Sequence, residues 1–405
     1  MERPPHDDEG TCVMPGIGLV AVTVTSLALS SLGPATAAEP WVAAWAAGQQ
    51  STATLSAPPT FADQTVRLIV HPRADGRLVR IRLSNTFGDR PVTFGRAGLG
   101  VSAGGGAVVA DTVRPITFGN ATAVTVAAGR EVVSDPVPLR VTAGADLAVS
   151  VYLPKATGPA TYHRAAYQTS YVSTAGDHTA EPDGASFTTT TGHWFFLDSV
   201  SVTGTSSAGT VVALGDSITD GSGSSGRLHR WPDVLADRVP SRSVVDEGIA
   251  GNKVLSDDPV SGPSVLHRLD RDVLSQPGLR TVIMLEGIND LRSTTPPATA
   301  AQIIAGYRQV IARVHARGAR ILGATITPVE GSARYDAAME QQRQAVNGWI
   351  RTSHAFDGVV DFAAAVADPS DPLRLLPSYD SGDHLHPDNA GYQAMGEAVD
   401  LTLLR

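Results

Sequence analysis

Cysteine is almost absent: Cys12 is the only one in 405 residues. The body of the chain therefore has no disulfide, no thiolate nucleophile and no cysteine-built metal site, which excludes cysteine-hydrolase chemistry. Basic clusters are missing too. With 31 Lys and Arg against 40 Asp and Glu, a formal net charge of −9 and no dense Lys/Arg run, nucleic acid and anionic membranes are not expected partners. Aromatic residues make up only 5%, while Gly, Ala, Thr and Val are plentiful, a balance that suits a soluble, β-containing extracellular protein. No His-Glu-x-x-His occurs, and the histidines other than His384 and His386 are scattered, so neither metal nor cofactor is expected.

Long apolar runs are confined to one place. Gly16 to Leu32 is apolar and is followed by Gly33-Pro34-Ala35-Thr36-Ala37-Ala38-Glu39, in which Ala35-x-Ala37 resembles a signal-peptidase site. A signal peptide over 1–38 and a secreted protein are the expectation. The flank is atypical, because Asp7, Asp8 and Glu9 outnumber Arg3, and Met14 is an alternative start. A single-pass anchor is the competing reading, but about 17 apolar residues rich in Gly, Ser and Thr are marginal for spanning. No later segment is long and apolar enough to span, so a monomer without membrane insertion is expected after signal removal.

The length suits two domains, and the periodicity changes midway. From Trp41 to about Thr203, short runs such as Thr65-Val66-Arg67-Leu68-Ile69-Val70, Leu78-Val79-Arg80-Ile81-Arg82-Leu83 and Leu147-Ala148-Val149-Ser150-Val151-Tyr152 alternate with Gly, Pro, Asn and Asp. Such alternation marks strands with one buried face, and their repetition predicts an all-β sandwich or jelly roll over 39–205. After Ser206-Ser207-Ala208-Gly209, apolar strands alternate with helical segments. Strands are expected at Val211–Leu214, Ser243–Asp246, Thr281–Leu285, Arg320–Ala324 and Gly358–Asp361. Helices are expected at Arg230–Arg238, Val265–Leu274, Ala300–Arg317 and Ala333–Ser353, with a last one after Asn389. Five such units predict an α/β domain over 206–405, a three-layer αβα sandwich with a five-stranded parallel sheet whose C-terminal edge carries the chemistry.

Four segments fall at that edge. Gly215-Asp216-Ser217-Ile218-Thr219-Asp220-Gly221 follows the first strand directly, placing Ser217 where a buried strand gives way to a tight turn, with glycines on both sides to permit it. Alone, this reads equally as a capped strand-to-helix turn. Asp380-Ser381-Gly382-Asp383-His384-Leu385-His386-Pro387-Asp388 offers a base and an acid: Asp383, three residues before His386, can reach Nδ1 and leave Nε2 free to face Ser217. Alone, it reads as a surface loop or an incidental metal site, and its place before the last helix, which Asp388 or Asn389 could cap, also has a structural explanation. Gly248-Ile249-Ala250-Gly251-Asn252 and Glu286-Gly287-Ile288-Asn289-Asp290 follow the second and third strands. The Gly251 N–H and the Asn289 amide can join the Ser217 N–H around one carbonyl oxygen.

These blocks, in this order, resemble those of the SGNH, or GDSL, hydrolase superfamily, from about Val211 to the C terminus. The resemblance implies the following roles: Ser217 as nucleophile, His386 as general base and acid, Asp383 as orienting carboxylate, and Ser217, Gly251 and Asn289 as oxyanion donors. It also implies a flavodoxin-like sheet. Two positions depart from the pattern: Asp246 stands for the usual Asn, and Glu286 for a small residue. Trp231-Pro232 matches a common pair of the family and is read as packing. Trp41-Val42-Ala43-Ala44-Trp45 and Arg80-Ile81-Arg82-Leu83-Ser84-Asn85 resemble the β domain that precedes the hydrolase in many secreted actinobacterial members.

The expected function is a secreted serine esterase acting on short acyl esters of carbohydrates or small alcohols. A lipase or phospholipase-type acylhydrolase acting on lipid is the alternative, and a non-catalytic carbohydrate- or cell-wall-binding protein is the rival from another class. No Gly-x-Ser-x-Gly elbow is read in the chain, which disfavours the α/β-hydrolase fold. Tyr162, Tyr167, Tyr171 and Trp194 form either a sugar-stacking platform or part of the core, and Ser84-Asn85-Thr86-Phe87-Gly88 either a ligand loop or a strand-ending turn.

Overall fold

From Val42 to Thr203 the alternating pattern becomes antiparallel sheet. The computed structural model describes residues 40–226, 228–294 and 296–404; the expected signal peptide, 1–38 with Cys12, lies outside the described residues. One sheet orders Val42–Ala46, Leu197–Thr203, Gly76–Asn85 and Arg130–Val133, with Val137–Val141 also paired to Gly76–Asn85. The other is built around Gln64–Val70, Leu147–Leu153 and Arg96–Gly104. Because successive side chains point to opposite faces, Val79, Ile81 and Leu83 of the first sheet share one core with Val66, Leu68, Val149 and Val151 of the second. This is the expected sandwich.

Tyr162 and Trp194 belong to that core, whereas Tyr167 and Tyr171 are half-buried. The four therefore do not form one platform. Ser84-Asn85-Thr86-Phe87-Gly88 is a turn closed by Gly88 N–H on Asn85 O at 3.2 Å. The Asn85 amide donates to Arg90 O and Val126 O, so the motif is occupied with its own backbone.

The second half forms a parallel sheet of β1 (Thr210–Gly215), β2 (Ser243–Gly248), β3 (Leu279–Leu285), β4 (Arg320–Ala324) and β5 (Gly358–Val360), in the spatial order β2-β1-β3-β4-β5. Its helices are α1 (Ser217–Asp220), α2 (Trp231–Arg238), α3 (Val265–Arg268, widening into a π turn through Leu274), α4 (Ile288–Leu291), α5 (Ala300–Ala316), α6 (Ala337–Thr352), α7 (Phe362–Val366) and α8 (Asn389–Ala398). One face of the sheet packs Val212, Leu214, Val282 and Met284 against Ile303 and Val310 of α5 and Val346 and Ile350 of α6. The other packs Val211, Ala213 and Ile283 against Trp231 and Leu235 of α2 and Tyr392 and Met395 of α8. Three layers result, as expected.

Strand order reverses at β1, whose neighbours are its two successors on either side, and such a switch point opens a crevice beyond the strand ends. Gly215 lies in register with Gly248 of β2 and Leu285 of β3. The segments after all three strands consequently leave from the same level of the same edge.

Two boundaries differ from expectation for local reasons. α6 starts at Ala337, not Ala333, because Asp336 caps it through Met339 N–H at 2.7 Å and Arg334 takes a positive φ of 68°. Asp361 ends no strand but caps α7, its Oδ1 accepting from Ala364 N–H at 3.2 Å. α7 and the hairpin of Ala367–Asp368 with Asp371–Leu375 were not anticipated.

The two halves belong to one compact unit. Ala43 N–H donates to Pro277 O at 3.0 Å, and Arg73 pairs with Asp233 at 2.8 Å and Asp237 at 2.9 Å. Trp231 is fully buried, its ring centroid 5.1 Å from that of Phe362 and its indole N–H 3.3 Å from Thr219 Oγ1. Removing so large a core side chain next to the Ser217 turn leaves a cavity and an unpaired hydroxyl. Trp231→Ala is expected to cost about 3–5 kcal/mol, measured as a lower urea midpoint at unchanged slope.

Candidate active site

Ser217 opens α1, two residues beyond the end of β1. Asp216 caps this single turn, its Oδ1 accepting from Ile218 N–H at 2.9 Å, and Gly221 ends it at a φ of 105°. The segment after β2 lies directly on the turn: a Cβ at Gly248 would stand 2.2 Å from Asp220 N, so only glycine permits the approach. Ile249 N–H donates to Gly215 O at 3.0 Å and Ala250 N–H to Asp220 Oδ2 at 3.0 Å.

His386 and Asp383 sit on a closed loop. Ser381 N–H donates to His386 O, Asp388 N–H donates to Tyr379 O, and Asp388 Oδ1 caps α8 through Gly391 N–H. Within it, Asp383 Oδ2 is 2.6 Å from His386 Nδ1, and Oδ1 accepts from the N–H groups of Leu385 and His386. His386 Nε2 is 2.8 Å from Ser217 Oγ. A carboxylate facing Nδ1 places the proton there and leaves Nε2 as acceptor for the serine hydroxyl. Partial burial acts to raise the Asp383 carboxyl, but the His386 N–H, the His386 ring and the Leu385 N–H outweigh it and hold the group below its ordinary range. His384 takes no part in this chain: its Nδ1 is 2.5 Å from Asp380 Oδ2.

The Gly251 and Asn289 segments are clamped to each other. Gly251 has a φ of 81°, and α4 begins after Gly287 at a φ of 117°. The Asn289 side-chain amide donates to Asn252 O at 3.0 Å, and Asp290 accepts from Val254 N–H at 2.8 Å and Leu255 N–H at 3.0 Å. Among the described residues, the backbone N–H groups of Ser217 and Gly251 have no hydrogen-bond acceptor. All five residues singled out in the sequence are thus brought to one edge: Ser217, His386 and Asp383 in one hydrogen-bond chain, and Asn289 joined to the Gly251 loop that docks on α1.

Sequence reasoning missed the groups that hold these segments. Arg268 of α3 is buried and reaches Gly215 O at 3.0 Å, Glu247 O at 2.7 Å and Asn252 Oδ1 at 3.0 Å. Its only trace was a charge inside an apolar helical stretch. The one Gly-x-Ser-x-Gly string in the chain, Gly100-Val101-Ser102-Ala103-Gly104, had also been passed over; it runs along an antiparallel strand, with Ser102 N–H on Asp146 O, and forms no elbow.

The two departures from the family pattern have defined settings. Asp246 Oδ1 accepts from Gly248 N–H at 2.8 Å, and its Oδ2 meets Arg230 Nη1 at 2.8 Å, yet burial pushes the carboxyl up to about 7. Glu286 is buried, and neither carboxyl oxygen has a partner among the described residues. Burial, with the neighbouring Asp216 charge, raises its carboxyl well above the ordinary range and favours its protonated form. Above the unfolded value of about 4.5 the native state keeps a proton that the unfolded chain releases, so this group's contribution to stability falls as pH rises. Glu286→Gln is expected to melt close to wild type at pH 4.5 and at higher temperature than wild type at pH 8. Equal melting temperatures at both pH values would show that the carboxyl is not held protonated.

The model of the GDSL-like lipase/acylhydrolase family matches residues 213–394. Among solved structures the chain is similar to a GDSL-like lipase from Bacteroides thetaiotaomicron VPI-5482, at 19% identity and a TM-score of 0.39, covering 48% of this chain and 88% of that one. It is similar to the aryl esterase of M. smegmatis at 19% identity and a TM-score of 0.40, covering 47% and 96%. It is also similar to Est24, a carbohydrate acetylesterase from Sinorhizobium meliloti, at 19% identity and a TM-score of 0.39, covering 47% and 95%. No curated protein matches the chain. Residues 213–394 are therefore a GDSL-like lipase/acylhydrolase domain, which supports ester hydrolysis.

Proposed function

We propose that Ser217, His386 and Asp383 form the catalytic triad of a secreted esterase that cleaves short acyl esters of carbohydrates or small alcohols through an acyl-enzyme. The observation that carries this reading is the unbroken chain from Ser217 Oγ to His386 Nε2 at 2.8 Å and from His386 Nδ1 to Asp383 Oδ2 at 2.6 Å. His386 takes the hydroxyl proton as Ser217 attacks the ester carbonyl, and Asp383 steadies the imidazolium that forms. The oxyanion is held by the N–H groups of Ser217 and Gly251 and by the Asn289 amide. His386 then protonates the departing alcohol. Water, activated by the same imidazole, attacks the acyl carbon and releases the acid and free Ser217. No step requires a metal, and turnover in EDTA is expected to equal that without it.

The preference for short acyl groups rests on the lack of a long hydrophobic lid segment in the sequence. Secretion rests on the apolar segment and the Ala35-x-Ala37 pattern before residue 39. N-terminal sequencing of exported protein is expected to begin near Glu39.

A fluorophosphonate probe is expected to label Ser217 in wild type and not in Ser217→Ala. Failure to label folded wild type would favour a non-catalytic binding protein. Asn289→Ala is expected to lower kcat on p-nitrophenyl acetate by about a hundredfold or more. On a panel of acetylated xylan, glucomannan, p-nitrophenyl esters of increasing chain length and phosphatidylcholine, acetyl esters are expected to turn over fastest. Equal or faster cleavage of palmitoyl ester and phosphatidylcholine would overturn the short-acyl assignment in favour of a lipase.

A further inference from the structure

The geometry points to His163, on the N-terminal β domain, as a positioning residue of the hydrolase site, acting through Asp220 on the loop that carries Gly251. The inference rests on the esterase reading above and adds to it a working part from the other half of the chain.

His163 lies on the short strand Thr161–His163, and its side chain is 3% exposed. Nδ1 is 2.8 Å from Gly48 O, and Nε2 is 3.2 Å from both Ala165 O and Asp220 Oδ1. A carbonyl only accepts, so both ring nitrogens face acceptors, and the arrangement is satisfied by an imidazolium that donates from each side. Asp220 is itself buried and closes the turn that Ser217 opens. Its Oδ2 accepts the Ala250 N–H at 3.0 Å, one residue before Gly251. One carboxylate thus has one oxygen on the β domain and the other on the oxyanion loop.

That loop has further contacts with the β domain. The Gln50 side-chain amide donates to Val260 O at 2.9 Å, and a Cβ at Gly48 would lie 2.8 Å from Ile249 Cγ1. Residue 48, whose carbonyl fixes the His163 ring, therefore packs against residue 249 of the same loop. Removing the imidazole leaves Asp220 Oδ1 buried without its donor, freeing the carboxylate to turn. The Ala250 and Gly251 amides then lose their fixed aim, and an error of about 1 Å in a donor can cost a hundredfold in rate. Binding of the ester, which does not depend on the developing charge, is affected far less.

The test uses the full chain with p-nitrophenyl acetate. His163→Phe, which keeps the bulk and removes both donors, is expected to lower kcat about ten- to a hundredfold with KM within about twofold, and to slow fluorophosphonate labelling of Ser217 in parallel. His163→Gln, whose amide can still donate to Asp220, is expected to regain most of the loss. A folded His163→Phe with wild-type kcat overturns the role, as does a loss that Gln does not restore. If His163→Phe does not fold, Asp220→Asn decides: reduced kcat at unchanged KM supports the role and wild-type kcat overturns it. Failure of both variants to fold also overturns it, by assigning the pair to stability alone. Wild-type turnover that Ser217→Ala does not abolish would instead sink the triad reading and is scored separately.

Discussion

A single buried guanidinium fixes the relative positions of three of the segments that meet at the site. Arg268 hydrogen-bonds the terminal carbonyl of β1, the carbonyl of Glu247 near the end of β2 and the side chain of Asn252 in the Gly251 loop, and it is paired with Asp272. Burying a cation costs several kcal/mol unless its donors are matched, and here they are matched by groups that are themselves strand ends. The Arg268 contacts therefore orient the backbone at the strand ends. The serine turn leaves from Gly215 and the Gly251 loop from Gly248, so an error at Arg268 propagates to both at once. Asn289 completes the arrangement by bonding Asn252 O, which ties the end of β3 into the same set.

The positions of the functional side chains were legible because each follows a strand whose end could be read from an apolar run meeting Gly or Asp. Val211 to Leu214 before Gly215, and Thr281 to Leu285 before Glu286, are such cases. The Asp383 to His386 spacing was legible because a three-residue separation in a tight loop is a local geometry. Long-range partners were not readable in this way. His163 and Asp220 are 57 residues apart, one on a strand of the β half and the other in α1, and Arg268 meets Gly215 across 53 residues. No periodicity encodes such pairs, and the first half was read as a separate sandwich. The late start of α6 was missed for a different reason: Ala333 and Ala337 have the same helix propensity, and the cap at Asp336 decides between them.

The junction of the two halves shows how buried charges are reconciled when cations are shared. Arg73 comes from the β domain and Arg230 from the start of α2, and both meet Asp233, while Arg230 also meets Asp246. Burial disfavours the charge on both carboxyls, but Asp233 has two guanidinium partners that outweigh it and hold it well below the ordinary range. Asp246 has Arg230 alone and the Asp220 charge nearby, and it rises to about 7. An Asp where the family pattern has Asn is accommodated here by the Arg230 guanidinium and the Gly248 N–H, which both meet its carboxyl. The same contacts argue against treating the β half as an appended module: its arginine and its histidine both end on carboxylates of the hydrolase half.

The same logic separates the carboxyls around Ser217. Asp383, which accepts two backbone N–H groups and faces His386, is held below its ordinary range and stays ionised. Asp216, one residue before the serine, accepts only the Ile218 N–H from within α1; burial, reinforced by the Asp290 charge, pushes it up to about 7. Burial, with the Asp216 charge, also raises Glu286 well above its ordinary range. On the mechanism proposed above, negative charge develops on the substrate oxygen beside Ser217, and a full complement of ionised carboxylates beneath it would oppose that charge in a region of low dielectric. On that mechanism the fold keeps Asp383 charged, where it would steady the imidazolium, and reduces the charge of Asp216 and Glu286. Acidic residues can thus crowd a site that must stabilise an anion, provided that burial decides which of them keep their protons.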